Sequence, residues 1–225
     1  MNYLDLFAGI GGFALGLKRA GAKINRHYFS EIDGKVSEIY TKHFPDAIPL
    51  GDIRTVDPAG LGRVDLVTFG FPCQDLSVAG KQAGLQGERS CLFFEAMRLI
   101  KALRPRVFVF ENVKGLLTSR SGADFAIVLQ AIADLGIYEC GWQLVNTSWL
   151  LPQNRERVYF VGYVGGEPRP EVFPISENDF EDTGIHGQSA NTITSRTGHG
   201  ETVGAYVVER ELVQKTKKDI ARIQS

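Results

Sequence analysis

A cysteine within a proline-containing loop is the residue of this sequence best suited to chemistry. The segment Gly70-Phe71-Pro72-Cys73-Gln74 directly follows a short apolar run that is predicted to be a strand. A thiol at the carboxyl end of a central strand is well placed to act as a nucleophile, and Pro72 restricts the loop that carries it. The other two cysteines, Cys91 and Cys140, are predicted to be inert and buried.

Two further motifs carry charged groups that would complete such a site. Glu111-Asn112-Val113 ends an apolar strand, where a carboxyl group is costly unless it is paired or has a function. Gln153-Asn154-Arg155-Glu156-Arg157 enters a late strand, and alternate residues of an extended segment point the same way. Because a thiol reacts as the thiolate, we expect Arg155 and Arg157 to supply the positive field that Cys73 needs. A phosphate or carboxylate contact, or a surface ion pair, is the alternative for the two arginines.

A glycine-rich turn near the N-terminus is typical of a nucleotide-binding loop. Asp5-Leu6-Phe7-Ala8-Gly9-Ile10-Gly11-Gly12 ends the first strand and begins the first helix, and glycine lets the backbone approach a ligand closely. Glu31 follows at the spacing expected of a carboxylate that binds a ribose diol. Asp52 is a candidate acceptor for an adenine amine. These residues alone leave NAD and S-adenosylmethionine undecided.

The motifs lie between apolar strands that alternate with helices up to about residue 165. Strands are predicted at 3–7, 27–30, 64–69, 107–110, 142–148 and 157–163, and helices at 13–20, 36–44 and 92–103. A fourth helix is predicted to begin at a capping box, Ser121-x-x-Asp124, and to extend to Leu135. Such alternation predicts an α/β fold, with a mostly parallel sheet and helices on both faces.

Composition is that of an ordinary globular protein and changes near residue 165. The 225 residues are 44% hydrophobic with a net charge of −1, which excludes a uniformly basic coat for nucleic acid. Three cysteines indicate a reducing, cytoplasmic setting, and no apolar run is long enough for a membrane span. Glycine and proline cluster at 165–170, and residues 166–225 are more acidic than basic. We expect one domain at 1–165 and a separate region at 166–225.

Together, four motifs resemble those of the cytosine-C5 DNA methyltransferase family, in order and in spacing. They are FAGIGG at 7–12, GFPCQDLS at 70–77, ENV at 111–113 and QNRER at 153–157, and the resemblance extends to about residue 163. It implies a Rossmann-like class I methyltransferase fold and S-adenosylmethionine as the cofactor, with S-adenosylhomocysteine as product. It also implies double-stranded DNA as the substrate. An NAD enzyme would leave the last three motifs unexplained.

The resemblance assigns roles to the catalytic motifs. Cys73, in the loop stiffened by Pro72, would add to C6 of a cytosine flipped out of the duplex, and the methyl group would then pass to C5. Glu111 would donate to N3 of the base, and Asn112 would help to hold the loop. Arg157 would bind the carbonyl edge of the base, while Arg155 would support the loop or a phosphate. No metal ion is implied.

The resemblance also implies a cofactor site and a mobile lid. The lid is the glycine-rich stretch 77–87, which would close over DNA. Ile32 would lie against the adenine, where the family commonly has an aromatic residue. The cofactor would be surrounded by Phe7, Gly9, Ile10, Gly11, Gly12, Glu31, Ile32, Asp52, Ile53 and Leu92.

The match to the family stops before the family's usual end. Two later motifs, an LTPRE-type helix start and an NxVPP-type turn, do not occur in the chain. Residues 189–208 resemble a threonine-rich stretch of the variable, DNA-reading region. Residues 209–225 have the pattern of an amphipathic helix, with Leu212, Val213, Ile220 and Ile223 apolar, which is either solvated or part of an interface.

Three explanations account for the missing motifs. The chain is the first half of a split enzyme whose second polypeptide supplies them, or a truncated piece, or a shortened inactive relative that only binds. An RNA cytosine-C5 methyltransferase would share the same motifs. We favour an incomplete catalytic half of a bacterial or phage DNA methyltransferase of the restriction-modification type, because the acidic region 166–225 is poorly suited to contact phosphates by itself.

Overall fold

A computed structural model describes residues 1–71, 91–149, 151–166 and 172–175, together with the backbone of 206–207. Within these ranges no helix is both long and apolar enough to pass through a bilayer. The strands are β1 Asn2–Leu6, β2 Arg26–Ser30, β3 Ile48–Pro49, β4 Leu66–Phe69, β5 Val107–Val113, β6 Tyr138–Asn146, β7 Glu156–Val164 and β8 Tyr206–Val207. The α-helices are α1 Gly12–Arg19, α2 Gly34–His43, α3 Cys91–Leu103 and α4 Ala123–Ala133.

The eight strands form one sheet in the order β3-β2-β1-β4-β5-β7-β6-β8. The pairs from β3 to β5 are parallel, whereas β7 pairs antiparallel with both β5 and β6, and β8 pairs antiparallel with β6. The predicted mostly parallel α/β sheet is therefore confirmed. The carboxyl ends of β1, β2, β4 and β5 lie at one edge, where an α/β sheet binds its ligands.

Helices pack on both faces, as the continuous apolar strands predict. On one face α3 and α4 cover an aromatic core, in which the rings of Phe110 and Phe160 stack with their centroids 4.2 Å apart. On the other face α1 and α2 pack over the β1–β3 side, where the rings of Phe29 and Tyr40 stack at 4.1 Å. The strand tips are therefore held by a core on each side.

The start of the fourth helix differs from its prediction, because the proposed capping box is wrong. Gly122 precedes α4 without a side-chain cap, and Ser121 lies in a kink with φ 58°. The carboxylate of Asp124 is buried and binds Ser119 and Arg120, so it is not available to the backbone of residue 121. The buried ion pair thus replaces the local capping interaction.

Candidate active site

A carboxylate and two arginines meet at the ends of β5 and β7. The antiparallel register pairs Glu111 with Tyr159 and Val113 with Arg157, which brings both arginines toward Glu111. Nε of Arg157 lies 2.7 Å from Oε1 of Glu111, and Nη2 of Arg155 lies 3.9 Å from the same oxygen. Arg157 is 20% exposed and Arg155 50% exposed. Burial, and then the Glu111 charge, raise the pKa of Tyr159, so this phenol is neutral near pH 7.

The loop that carries the candidate nucleophile begins beside this cluster. A Cβ placed on Gly70 would lie 3.4 Å from Oε2 of Glu111, so the Glu111 carboxylate lies against the start of the loop. Phe71 is buried and packs on Phe93, with ring centroids 5.0 Å apart. Pro72 and Cys73 follow at once in the sequence, and both lie outside the described residues, as does the predicted lid at 77–87.

The side chain of Asn112 is buried beside Glu111 with half of its amide unsatisfied. Its Oδ1 accepts a hydrogen bond from the backbone N–H of Val113 at 2.8 Å, whereas its Nδ2 has no partner among the residues that the structure describes. A buried donor without a partner costs about 1–3 kcal/mol. This arrangement suits the predicted role of Asn112 in holding a neighbouring loop, and that role remains a prediction.

The turn before β7 is held by Asn146, which the sequence analysis missed. Oδ1 of Asn146 accepts from the backbone N–H of Ser148 at 3.0 Å and of Arg155 at 3.2 Å. Its Nδ2 donates to Oδ1 of Asn154 at 2.8 Å. An asparagine that ends a strand before a turn is a recognisable signal for such contacts, but its partner nine residues later is not visible in the sequence. Asn146 therefore positions the backbone that presents the two arginines.

The predicted cofactor loop adopts an unusual backbone at the end of β1. Phe7 has φ 52°, which is rare for a non-glycine residue, and Gly9 has φ 55°. The N–H of Gly9 donates to Oε2 of Glu31 at 3.0 Å, and the N–H of Asp33 donates to Oε1 at 2.9 Å. A carboxylate has about four acceptor positions, so Glu31 retains capacity for a diol while both of its oxygens are fixed.

The surroundings of the Gly9–Glu31 bond fit a nucleoside-containing cofactor. No atom lies within 4 Å of a Cβ placed on Gly9, which leaves space above the loop. Ile10 and Ile32 follow these two residues and are 63% and 71% exposed, which provides apolar surface for a base. Gly11 has a different role. It has φ 93°, and a Cβ added to it would lie 2.5 Å from the ring of Phe44. Gly12 begins α1.

The remaining predicted cofactor residues lie on neighbouring segments. The hydroxyl of Ser30 donates to the carbonyl of Gly51 at 2.7 Å, so the Asp52 segment adjoins the end of β2. Asp52 begins a short 3-10 helix and pairs with Arg54, whose hydrogen bonds lower the pKa of Asp52. Ile53 is buried in the core, and Leu92 is half-buried against the same core. The structure therefore brings the Asp52 segment toward Glu31 and places the Ile53 and Leu92 side chains in packing contacts.

A buried polar network lies beneath the predicted cofactor loop. Asp5 is fully buried and accepts hydrogen bonds from the hydroxyls of Thr68 at 2.7 Å and Tyr40 at 3.0 Å. Tyr3 bonds Thr68 at 2.6 Å, and His27 bonds Tyr40 at 2.7 Å. Burial raises the pKa of Asp5 to about 7, although the hydrogen bonds oppose the shift. The network links β1, β2, β4 and α2 beneath the glycine turn.

Comparison with known proteins identifies the family. The sequence model of the C-5 cytosine-specific DNA methylases matches residues 1–222. The chain is 38% identical to the Type II methyltransferase M.NgoBI of Neisseria gonorrhoeae, across 80% of this chain and 56% of that protein. It is 42% identical to the Type II methyltransferase M1.ScrFI of Lactococcus lactis subsp. cremoris, across 71% of this chain and 41% of that protein.

A solved structure resembles the fold as well. It is described as a DNA modification methyltransferase encoded within a prophage (E. coli), and it matches with TM-score 0.61 and 25% identity over 73% of this chain and 47% of that one. The chain thus spans about half the length of the relatives that it matches. Because the family model matches nearly the whole length of the chain, the chain belongs to the C-5 cytosine-specific DNA methylase family.

Proposed function

We propose that this chain is the catalytic part of a DNA cytosine-C5 methyltransferase, which methylates a flipped cytosine through a covalent bond to Cys73. The contact between Glu111 and Arg157 carries the proposal. Glu111, the proposed proton donor, lies against Gly70, where the Cys73 loop begins, and Arg157 supplies a positive charge beside Glu111. A nucleophile, an acid and a charge stabiliser on adjacent strand ends are what addition to an aromatic ring requires.

Cys73, Glu111 and Arg157 act together on the cytosine ring. The Cys73 thiolate forms a bond to C6 of cytosine, and the Glu111 carboxyl donates its proton to N3, which leaves electron density at C5. Arg157 orients the Glu111 carboxylate and hydrogen-bonds the carbonyl edge of the base. After the methyl group is in place, the C5 proton passes to water, Cys73 leaves C6 as the thiolate, and N3 returns its proton to Glu111. Arg155, more exposed, supports the loop or a DNA phosphate.

We assign the cofactor to the carboxyl ends of β1 and β2. Glu31 would accept both ribose hydroxyls, and Ile10 and Ile32 would contact the adenine from their exposed positions. Asp52 would accept from the adenine amine in place of one of the four hydrogen bonds that Arg54 makes to its carboxylate. When bound there, S-adenosylmethionine supplies an electrophilic methyl group.

Double-stranded DNA is the proposed substrate, and a second polypeptide is the proposed source of the missing motifs. The chain spans only 56% and 41% of the two relatives described above. We propose a boundary near residue 165 between the catalytic domain and the region that leads toward DNA recognition. On this basis the chain alone would bind cofactor weakly and methylate poorly.

Covalent trapping on duplex DNA that contains 5-fluorocytosine tests the proposal. The chain is incubated with S-adenosylmethionine and this DNA, alone and together with a separately produced polypeptide that carries the two later family motifs. We expect an adduct that Cys73→Ala abolishes and that Cys140→Ala, at a buried strand position, leaves intact. Absence of an adduct in both preparations would favour a relative that only binds. A tRNA acceptor that is modified in preference to DNA would favour the RNA enzyme.

A further inference from the structure

Arg98 of α3 bonds to the segment that carries Asp52, although the two residues are far apart in the sequence. Asp52 caps the start of the 3-10 helix Ile53–Thr55. At the far end of this helix, Nη2 of Arg98 donates to the carbonyl of Ile53 at 3.1 Å, and Nη1 donates to the carbonyl of Val56 at 3.2 Å. The short helix that begins after a predicted cofactor residue is therefore held at its end by a residue of another element.

The guanidinium of Arg98 is suited to this double contact. Its Nε donates to Oε2 of Glu95, one turn earlier on α3, at 2.8 Å, so the side chain is directed from both ends. Carbonyls at the end of a helix have no partner within that helix. A planar guanidinium binds two acceptors at once, whereas the ammonium group of a lysine is a single charged point on a flexible stem. Arg98 thus joins the 3-10 helix to α3.

The other attachments of this segment leave the direction of Asp52 less well fixed. The hydrogen bond from the end of β2 reaches only the carbonyl of Gly51, which has φ 70°, where glycine is permissive. Burial of the Ile53 and Val56 side chains keeps the segment on the core. A 3-10 helix of three residues has poor internal hydrogen bonds, and here the N–H of Val56 donates to the carbonyl of Ile53 at 3.3 Å. The two bonds from Arg98 therefore add the main polar restraint on the backbone after Asp52.

Asp52 has to act together with Glu31 if both bind one nucleoside. The Glu31 carboxylate is fixed by two backbone N–H groups at the end of β2, whereas Asp52 belongs to the next segment. Groups that bind one ligand must be held close to the productive geometry by their supporting hydrogen bonds. We propose that Arg98 is a positioning residue for cofactor binding, which holds the 3-10 helix so that Asp52 faces the adenine amine. This role rests on the cofactor assignment proposed above.

Binding of two nucleosides to the whole chain tests the role without requiring activity. The probes are S-adenosylhomocysteine and S-inosylhomocysteine, in which a carbonyl oxygen replaces the amine that would donate to Asp52. Because the second probe lacks a hydrogen bond to a charged group, we expect the wild type to prefer the first by about 10-fold or more in Kd. Asp52→Ala should abolish this preference and provides the reference for a chain without the contact.

Arg98→Met keeps the apolar stem of the side chain and removes the guanidinium, so it should reduce the preference to about 2-fold or less. Arg98→Lys keeps the charge without the planar fork and should be intermediate. Arg63→Met is the matched control, because it removes an exposed arginine that pairs with Asp65 before the amino end of β4. It should retain the full preference, since the proposed cofactor site lies at the carboxyl ends of the strands.

Hydrogen exchange shows whether each variant is folded and where it is loosened. Amides of 53–56 should exchange faster in Arg98→Met, whereas those of β1 and β4 should stay as protected as in the wild type. Arg98→Lys carries the comparison if Arg98→Met is not folded, and it should then still show a smaller preference than Arg63→Met.

The outcomes separate this role from the cofactor assignment itself. A folded Arg98→Met protein that loses affinity for both probes equally, or for neither, would overturn the positioning role while Asp52→Ala still upholds the assignment. A wild type that binds both probes alike, or an Asp52→Ala variant that keeps the preference, would overturn the assignment of Asp52 and the role of Arg98 together.

Discussion

Nε of Arg157 lies 2.7 Å from Oε1 of Glu111 in an ion pair that joins two antiparallel strands. The contact places an acid at the tip of β5, and the guanidinium fixes the direction in which its carboxylate points. It also explains why a carboxyl group is tolerated in an otherwise apolar strand, since a partly buried charge needs a partner.

Glu111→Gln removes the proposed proton donor while it retains the size of the side chain. We expect the rate of adduct formation on 5-fluorocytosine DNA to fall by about 100-fold or more, since general acid catalysis contributes about 10²–10⁴-fold. The rate is measured in the preparation that forms the adduct. Glu156→Gln is the matched control, because it removes only the exposed pair with Lys114. Equal rates for the two variants would contradict the role of Glu111.

Arg157→Lys and Arg155→Lys separate the two arginines. Lysine keeps the charge but lacks the planar fork that binds a carboxylate and a base edge together. Arg157 lies 2.7 Å from the Glu111 carboxylate, whereas Arg155 lies 3.9 Å from it. We therefore expect Arg157→Lys to lower the single-turnover rate at least 10-fold more than Arg155→Lys does. The reverse order would show that Arg155 is the residue that binds the base.

Asn146→Ala should loosen the turn that carries the arginines. It removes three hydrogen bonds, to Ser148, Asn154 and Arg155, and we expect a loss of about 1–3 kcal/mol in the free energy of unfolding by urea. Hydrogen exchange of 147–155 should increase in parallel. Asn154→Ala removes only one of these bonds, so its effect should be clearly smaller. Identical losses in the two variants would contradict the positioning role.

Gly11→Ala tests the backbone requirement of the cofactor loop. Gly11 has φ 93°, and an added Cβ would lie 2.5 Å from the ring of Phe44, so we expect destabilisation of about 2 kcal/mol or more. Gly12→Ala is the control, because it lies in α1 with no positive φ and no atom within 4 Å of the new methyl group. Thermal unfolding of both variants measures the difference. A stable Gly11→Ala protein would show that Phe44 can move aside.

The buried Asp5 carboxyl should make the free energy of unfolding fall as the pH rises. Burial raises its pKa from the usual value near 4 to about 7, so the folded state binds more protons than the unfolded state between those values. Stability from protonated Asp5 is thus complete below pH 4 and is lost as the pH rises through 7. Relative to the Asp5→Asn variant, the free energy of unfolding of the wild type should fall by about 2–4 kcal/mol between pH 4 and 8.

Unfolding of both proteins across this pH range is the measurement. The variant serves as the reference because it retains His27, whose pKa burial lowers and whose own contribution rises with pH. Tyr3 and Tyr40 remain neutral, since burial raises the pKa of both phenols. A stability difference that is independent of pH would show that the Asp5 carboxylate titrates at the same pH in both states.

The sequence alone determined the elements and the motifs. Apolar periodicity predicts six of the eight described strands and the four helices, because the buried face of an element shows in its local pattern. The two-residue strands β3 and β8 are too short to show such a pattern. The glycine turn, Glu31 and the ENV and QNRER motifs were all recognisable before any contact was known. The loop with Cys73 was equally clear, although it lies outside the described residues.

Tertiary structure decided which of these residues meet. The register of β5 against β7 selects Arg157 as the close partner of Glu111, and it depends on packing between segments far apart in the chain. The same holds for Asn146 and for the network around Asp5, whose partners come from other elements. The capping-box prediction at Ser121-x-x-Asp124 is wrong because the buried Asp124 carboxylate binds Arg120, while the backbone N–H of Ser121 donates to the carbonyl of Thr118. Local propensity sets the elements, and long-range packing sets the site.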